Sequence, residues 1–233
     1  MSDPIVFLPG LMCDARLFGP QIEALSGQHT VSVGCLTQAQ SIEEMARTVL
    51  DDAPAHFSLL GLSMGGIVAM EVVRIAPERV RRLALLDTNP KAEHPKVAEG
   101  REPQIAAALA GQLEAVMREE MKPNYLAEGP NRAQVLDLVM VMALDLGADV
   151  FERQSRALQK RPDQQETLKA VALPTLVLCG KEDALCPVHR HELMADLIPD
   201  AELVVLDGAG HLPTLETPEA TNQALKYWMA RPA

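Results

Sequence analysis

The chain has 233 residues, enough for one sizeable core and, in an α/β fold, usually one domain. Hydrophobic residues make up 48% and charged residues 23%, an ordinary globular balance that excludes a disordered chain. With 21 Lys and Arg against 32 Asp and Glu the formal charge is −11, which repels phosphate backbones and anionic bilayers, so neither nucleic acid nor a membrane is an expected partner.

Met1-Ser2-Asp3-Pro4 lacks the basic-then-apolar pattern of a signal peptide, and no window has the apolar length of a membrane span. Ile5 to Leu8, ended by Pro9-Gly10, reads as a buried strand running into a loop. Leu17 to Leu25 has helical spacing, and Thr30 to Gly34 is short and β-branched. Ser41-Ile42-Glu43-Glu44 is a capping box opening a helix that should end before Pro54. Phe57 to Leu60 predicts the next strand, Ile67 to Ile75 the helix behind it, and Arg82 to Asp87 a further strand.

From Thr88 to about Ala172 the rhythm changes. No convincing strand occurs, but Gln104 to Lys122, Arg132 to Leu146 and Asp149 to Gln159 are helix-like, so an inserted helical block is expected. Strands return at Pro174 to Gly180 and Ala201 to Leu206, with a helix near Val188 to Leu197 between them. The last helix opens at Thr217-Pro218-Glu219, a cap residue followed by Pro at the first helical position, and runs to about Met229.

Short apolar strands alternating with amphipathic helices predict an α/β fold: a mostly parallel sheet of about six strands with helices on both faces. Ligands in such sheets bind beyond the carboxyl ends of the strands, which brings the loops after Leu8, Leu60, Leu86, Cys179 and Leu206 to one edge. Gly61-Leu62-Ser63-Met64-Gly65 fits G-x-S-x-G, the nucleophile elbow, and its flanks put Ser63 on the required strand-to-helix turn.

A serine hydroxyl needs a base, and the base needs a partner that fixes its tautomer. His211 follows the last strand through Asp207-Gly208-Ala209-Gly210, and Asp183 follows the preceding strand in Gly180-Lys181-Glu182-Asp183. Asp183 is preferred over Glu182 and Asp87, and Asp207 is assigned to the turn. His29, His56, His94, His189 and His191 read as surface residues. Backbone NH groups of Met64 and Leu11 are the expected oxyanion donors, Leu11 through the turn that Pro9-Gly10 permits.

Together Leu8-Pro9-Gly10-Leu11, Gly61 to Gly66, Gly180 to Asp183 and Gly208 to His211 run nearly the length of the chain. In these motifs the sequence resembles the α/β-hydrolase fold superfamily, in particular its small capped serine hydrolases of carboxylesterase type. Many of those carry His-Gly where this chain has Pro9-Gly10. The resemblance implies a core from residues 1–87 and 173–233 and a helical cap from residues 88–172 forming the pocket roof. Met12, Met140, Met142 and Leu212 are expected to bind substrate, with Met117 and Met121 on the earlier cap helix. Cys13 and Cys186 fall in loops on the site edge.

The expected activity is hydrolysis of small or medium carboxylic esters through an acyl-enzyme, on a small-molecule substrate, with no cofactor and no metal. Lactones, thioesters and carbon–carbon bonds share this machinery, and a ligand receptor or an interaction protein on the same scaffold are the alternatives from other classes. Cys13, Cys35, Cys179 and Cys186 lack C-x-x-C spacing, which fits reduced thiols and a cytoplasmic location.

Overall fold

A computed structural model describes residues 3–121 and 125–232. Met1, Ser2 and Lys122, the expected end of the first inserted helix, lie outside the described residues. Six strands form one sheet: β1 (Ile5–Leu8), β2 (Val31–Val33), β3 (Phe57–Leu62), β4 (Val80–Leu86), β5 (Thr175–Gly180) and β6 (Ala201–Leu206). Their order is β2-β1-β3-β4-β5-β6, and every neighbouring pair is parallel. The fold expected from the sequence is the one observed.

Successive side chains of a strand point to opposite faces, and the core divides accordingly. Val6, Leu8, Leu59, Leu83, Leu85 and Val177 belong to one hydrophobic cluster, and Ile5, Phe7, Leu60, Ala84, Leu176 and Leu178 to the other. Onto the first face pack α2 (Ile42–Asp52) through Met45 and Val49 and α3 (Met64–Ile75) through Val68 and Val72. On the second face lie Leu25 of α1 (Gly19–Leu25) and, from the last helix, Leu225 and Trp228. Burial on both faces is why the inner strands read as continuous apolar runs.

Between β4 and β5 the described residues contain helices and no strand. These are α4 (Pro95–Ala107), the single turn α5 (Leu113–Ala115), α6 (Arg132–Leu146), α7 (Ala148–Gln159) and the short α8 (Gln165–Lys169). The sequence pattern suggested one helix over Gln104 to Lys122. Instead α4 begins nine residues earlier, and the chain kinks at Gly111 (φ 88°), with wide π-helical turns over Ala108–Gln112 and Val116–Met121. Glycine accepts that left-handed conformation, which no helix interior can accommodate.

The fold closes with α9 (Val188–Leu197), α10 (Pro213–Glu216) and α11 (Pro218–Ala230). Two caps differ in detail from expectation. Ser41 Oγ accepts from Glu44 N at 3.2 Å, but the Glu44 carboxylate takes the Gln40 NH rather than that of Ser41. Thr217 occupies the cap position of α11 without capping it, because its hydroxyl donates back to the Pro213 carbonyl of α10. No described helix is long and apolar enough to cross a membrane.

Trp228, the one tryptophan in the chain, is fully buried on α11, and its Nε1–H donates to Pro174 O at 3.1 Å just before β5. Trp228→Phe removes one of the two donors to that carbonyl, which also accepts from Leu83 N at 3.2 Å, and opens a small cavity, so urea unfolding followed by circular dichroism should show a loss of about 1–3 kcal/mol. An unchanged midpoint would mean that the α11–sheet contact contributes little.

Candidate active site

Ser63 sits between β3 and α3 with φ 55° and ψ −116°, a strained conformation for a residue with a side chain. The neighbours leave no alternative. A Cβ on Gly61 would overlap the Gly65 carbonyl, and one on Gly65 would overlap the Leu8 carbonyl at the end of β1. The elbow is tied down by Ser63 N donating to Leu86 O at 2.9 Å and by the Thr88 hydroxyl donating to Ser63 O at 2.7 Å. Thr88 is held in turn by its own NH, which donates to His191 Nε2 at 3.1 Å. His191, expected at the surface, is therefore fully buried. Burial pushes its imidazole down to about 4, so near neutral pH it is an uncharged acceptor.

The loops after β5 and β6 bring the other two candidates to Ser63. His211 Nε2 lies 2.9 Å from Ser63 Oγ, and His211 Nδ1 lies 2.8 Å from Asp183 Oδ2. Asp183 Oδ1 accepts from the NH groups of Leu185 and Cys186 at 2.8 and 3.0 Å. Burial raises the Asp183 carboxyl, but the charge and hydrogen bond of His211 and these two NH groups outweigh it, and the net shift is downward. An ionised Asp183 fixes the proton on Nδ1 and leaves Nε2 free to accept from the serine hydroxyl.

The histidine loop has a support that the sequence did not reveal. Glu216 of α10 accepts from the NH groups of Gly210 and Leu212, on either side of His211, and from Ala127 N of the inserted segment. His211 N donates to Tyr125 O at 2.6 Å, and the Tyr125 ring meets the imidazole edge-on at 5.3 Å. Of the competing acids, Glu182 accepts from Ala209 N in the neighbouring turn and Asp207 pairs with Lys181 at the surface. Asp87 is fully buried, with Oδ1 accepting from Gly180 N at 2.9 Å. Burial, and then the Asp183 charge, push its carboxyl well above the ordinary range. Two neighbouring carboxyls thus differ in charge.

Leu11 and Met64 both line a cavity of about 470 Å³ that also contains Ser63 and His211. Neither backbone NH is taken by an acceptor among the described residues, whereas the adjacent Met12 NH donates to Gln154 Oε1 of α7 at 2.9 Å. That bond, with Met12 at φ 55°, sets the course of the loop after β1. The four residues expected to bind substrate do not line this cavity. Met12, Met140, Met142 and Leu212 are all buried in the two core clusters. For Met140 and Met142 on α6, helical spacing shows that a residue faces inward but not whether it meets a pocket or the core, and for Met12 and Leu212 a place in a loop at the site edge does not fix where the side chain turns.

Cys13 is buried away from this cavity, beside a smaller hollow, while Met121 and Cys186 do line it. The donor atoms of Asp183, Cys186 and His211 lie within 4.8 Å of one another, the one such group of metal-ligating side chains among the described residues. Burial and then the nearby Asp183 carboxylate push the Cys186 thiol well up, so it stays protonated and is a poor ligand or nucleophile.

Two substitutions separate the carboxyls. Asp183→Asn should cut Ser63-dependent turnover by about 10³–10⁴-fold by removing the acceptor that sets the His211 tautomer. Asp87→Asn should not. Folded Asp87 keeps a proton that the unfolded chain releases near 3.8, so it makes stability fall as pH rises above that value. Asp87→Asn should flatten this decline in urea titrations between pH 5 and 8; turnover lost through Asp87→Asn instead would identify the wrong acid.

Comparison with known proteins agrees with this geometry. A family model described as "Alpha/beta hydrolase family" matches residues 5–224. The protein named "Putative carbamate hydrolase RutD" from Azorhizobium caulinodans is 31% identical, over 95% of this chain and 89% of its own length. A pimeloyl-[acyl-carrier protein] methyl ester esterase from Klebsiella pneumoniae is 30% identical, over 78% of this chain and 73% of its own. Among solved structures, a thermophilic esterase from Thermogutta terrifontis with malate bound superposes with a TM-score of 0.90 at 28% identity, covering 98% of this chain and 90% of that one. The chain belongs to the alpha/beta hydrolase family.

Proposed function

We propose that the protein hydrolyses carboxylic esters of small or medium acyl chains through an acyl-enzyme on Ser63. One observation carries this reading: the unbroken line of hydrogen bonds from Ser63 Oγ through His211 to Asp183, opening onto a cavity. In the first half-reaction His211 Nε2 takes the serine proton as Oγ attacks the carbonyl carbon, and the imidazolium is stabilised by Asp183. The oxyanion forms against the NH groups of Leu11 and Met64, each contributing about 3–4 kcal/mol of transition-state stabilisation in a water-poor site. Collapse expels the alcohol, which takes the proton from His211. Water then attacks the acyl-enzyme by the same route, with His211 as base. No cofactor enters these steps.

In this reading the helices from residue 88 to residue 172 act as the cap. Support comes from the cavity lining, which takes Val97 and Arg101 from α4, Met121, and Leu158 from α7 beside Ser63. The four free cysteines fit a reducing, cytoplasmic setting. The Azorhizobium caulinodans relative is named for carbamate hydrolysis, and the same nucleophile, base and oxyanion donors would serve a carbamate.

The test is hydrolysis of p-nitrophenyl esters from acetate to laurate, with an aryl carbamate, a lactone and a thioester beside them. Ester turnover should fall at least 10³-fold in Ser63→Ala with the circular dichroism spectrum unchanged. Turnover that survives Ser63→Ala would overturn the reading, and a carbamate, lactone or thioester hydrolysed far faster than every ester would move it to that bond.

A further inference from the structure

The cavity beside Ser63 is more cationic than the protein around it. Arg101, Arg161 and Arg190 line it together with Glu93 and Glu120, in a chain whose net charge is −11. Glu93 is buried between two of the arginines: Arg101 donates to its Oε2 through Nε and Nη2 at 3.0 and 2.8 Å, and Arg161 Nη2 lies 3.0 Å from its Oε1. Burial lowers the Arg161 guanidinium, partly offset by the Glu93 charge, but a guanidinium starts so high that it remains charged. The cluster of Glu93, Arg101 and Arg161 therefore carries one positive charge in excess. Glu120, the second acid, is exposed and accepts from Gln104 at 3.0 Å, so water screens its field.

Arg190 is the third cation. It stands in the first turn of α9, next to the buried His191 that anchors Thr88 and the elbow. Its side chain makes no ion pair or hydrogen bond with any described residue, although it is half-buried in the cavity wall. A guanidinium partly removed from water and left without an anion is a site waiting for one.

We propose that Arg190, backed by the excess charge of the Glu93–Arg101–Arg161 cluster, binds a carboxylate on the substrate distal to the ester that Ser63 attacks. The preferred substrates are then half-esters of dicarboxylic acids or hydroxy acids acylated on their hydroxyl, each of which keeps a free carboxylate. Of the three cavity arginines, Arg190 alone has no ion pair among the described residues, and one such cation matches the single charge of a carboxylate better than the double charge of a phosphate monoester. The proposal rests on the hydrolase reading for its substrate, but the anion site is testable without turnover.

The rate test compares mono-p-nitrophenyl adipate with p-nitrophenyl hexanoate, which share chain length and leaving group. In the wild type kcat/KM should favour the charged ester at least tenfold, and the preference should shrink in 0.5 M NaCl. Arg190→Gln should lower the charged-to-neutral ratio tenfold, whereas Arg47→Gln, on the distant α2 surface, should preserve it. Neutral-ester turnover that depends on Ser63, with a ratio that Arg190→Gln does not alter, would overturn the anion site and leave the hydrolase reading standing. The binding arm measures the thermal shift produced by adipate and by phenyl phosphate. Stabilisation by adipate that is lost in Arg190→Gln supports the site even if no ester is turned over. A larger shift with phenyl phosphate, or no shift with either, would overturn the carboxylate assignment.

Discussion

Three stretches of backbone meet at Ser63 closely enough to exclude side chains, and much of the site depends on that contact. The end of β1 lies against Gly65, the end of β3 against the first turn of α3, and Gly66 against the side chain of Thr88. Because nothing larger than hydrogen fits, the turn is forced into the strained conformation that presents Ser63 Oγ beyond the strand tip. The same contact sets Leu11 of the loop after β1 and Met64 of α3 around one cavity with the serine, their NH groups without an acceptor among the described residues. Strain in one residue is offset by a parallel sheet buried on both faces, which cannot relax locally without opening the core.

Around the elbow the titratable groups are sorted by their surroundings. Asp183, given two backbone NH groups and an imidazole, is held ionised. Asp87, close by but without a cation to balance it, is held neutral, and His191 is held neutral by burial. Of these two carboxyls only Asp183 therefore carries a negative charge toward His211, which would favour an imidazolium there. In the cavity lining the excess charge has the opposite sign. That excess would attract the charged end of an anionic substrate toward Arg190.

The sheet was legible in the sequence because strands buried on both faces leave continuous apolar runs with no periodic pattern to misread. Ser63, Asp183 and His211 were legible as a set because each follows such a strand, and a parallel sheet delivers all those ends to one edge. What stayed hidden is carried by side chains reaching across from helices. Gln154 of α7 holding Met12 N, Glu216 bracketing His211, and the unpaired Arg190 of α9 all depend on which way a helix is turned and how far it lies from the sheet, and sequence spacing fixes neither. The same ambiguity placed Met140 and Met142 in the pocket when they belong to the core, and His191 at the surface when it supports the elbow, while the loop residues Met12 and Leu212 turn into the core although their loops border the site.

The central claim is that Ser63 is a nucleophile activated by His211, and covalent trapping tests it without knowledge of the substrate. The protein would be incubated with an alkyl fluorophosphonate and digested, and the modified peptide identified by mass spectrometry. The account predicts one adduct, on the peptide containing Ser63, formed far more slowly in His211→Ala. Labelling at another residue, or labelling of Ser63 at an equal rate without His211, would contradict it.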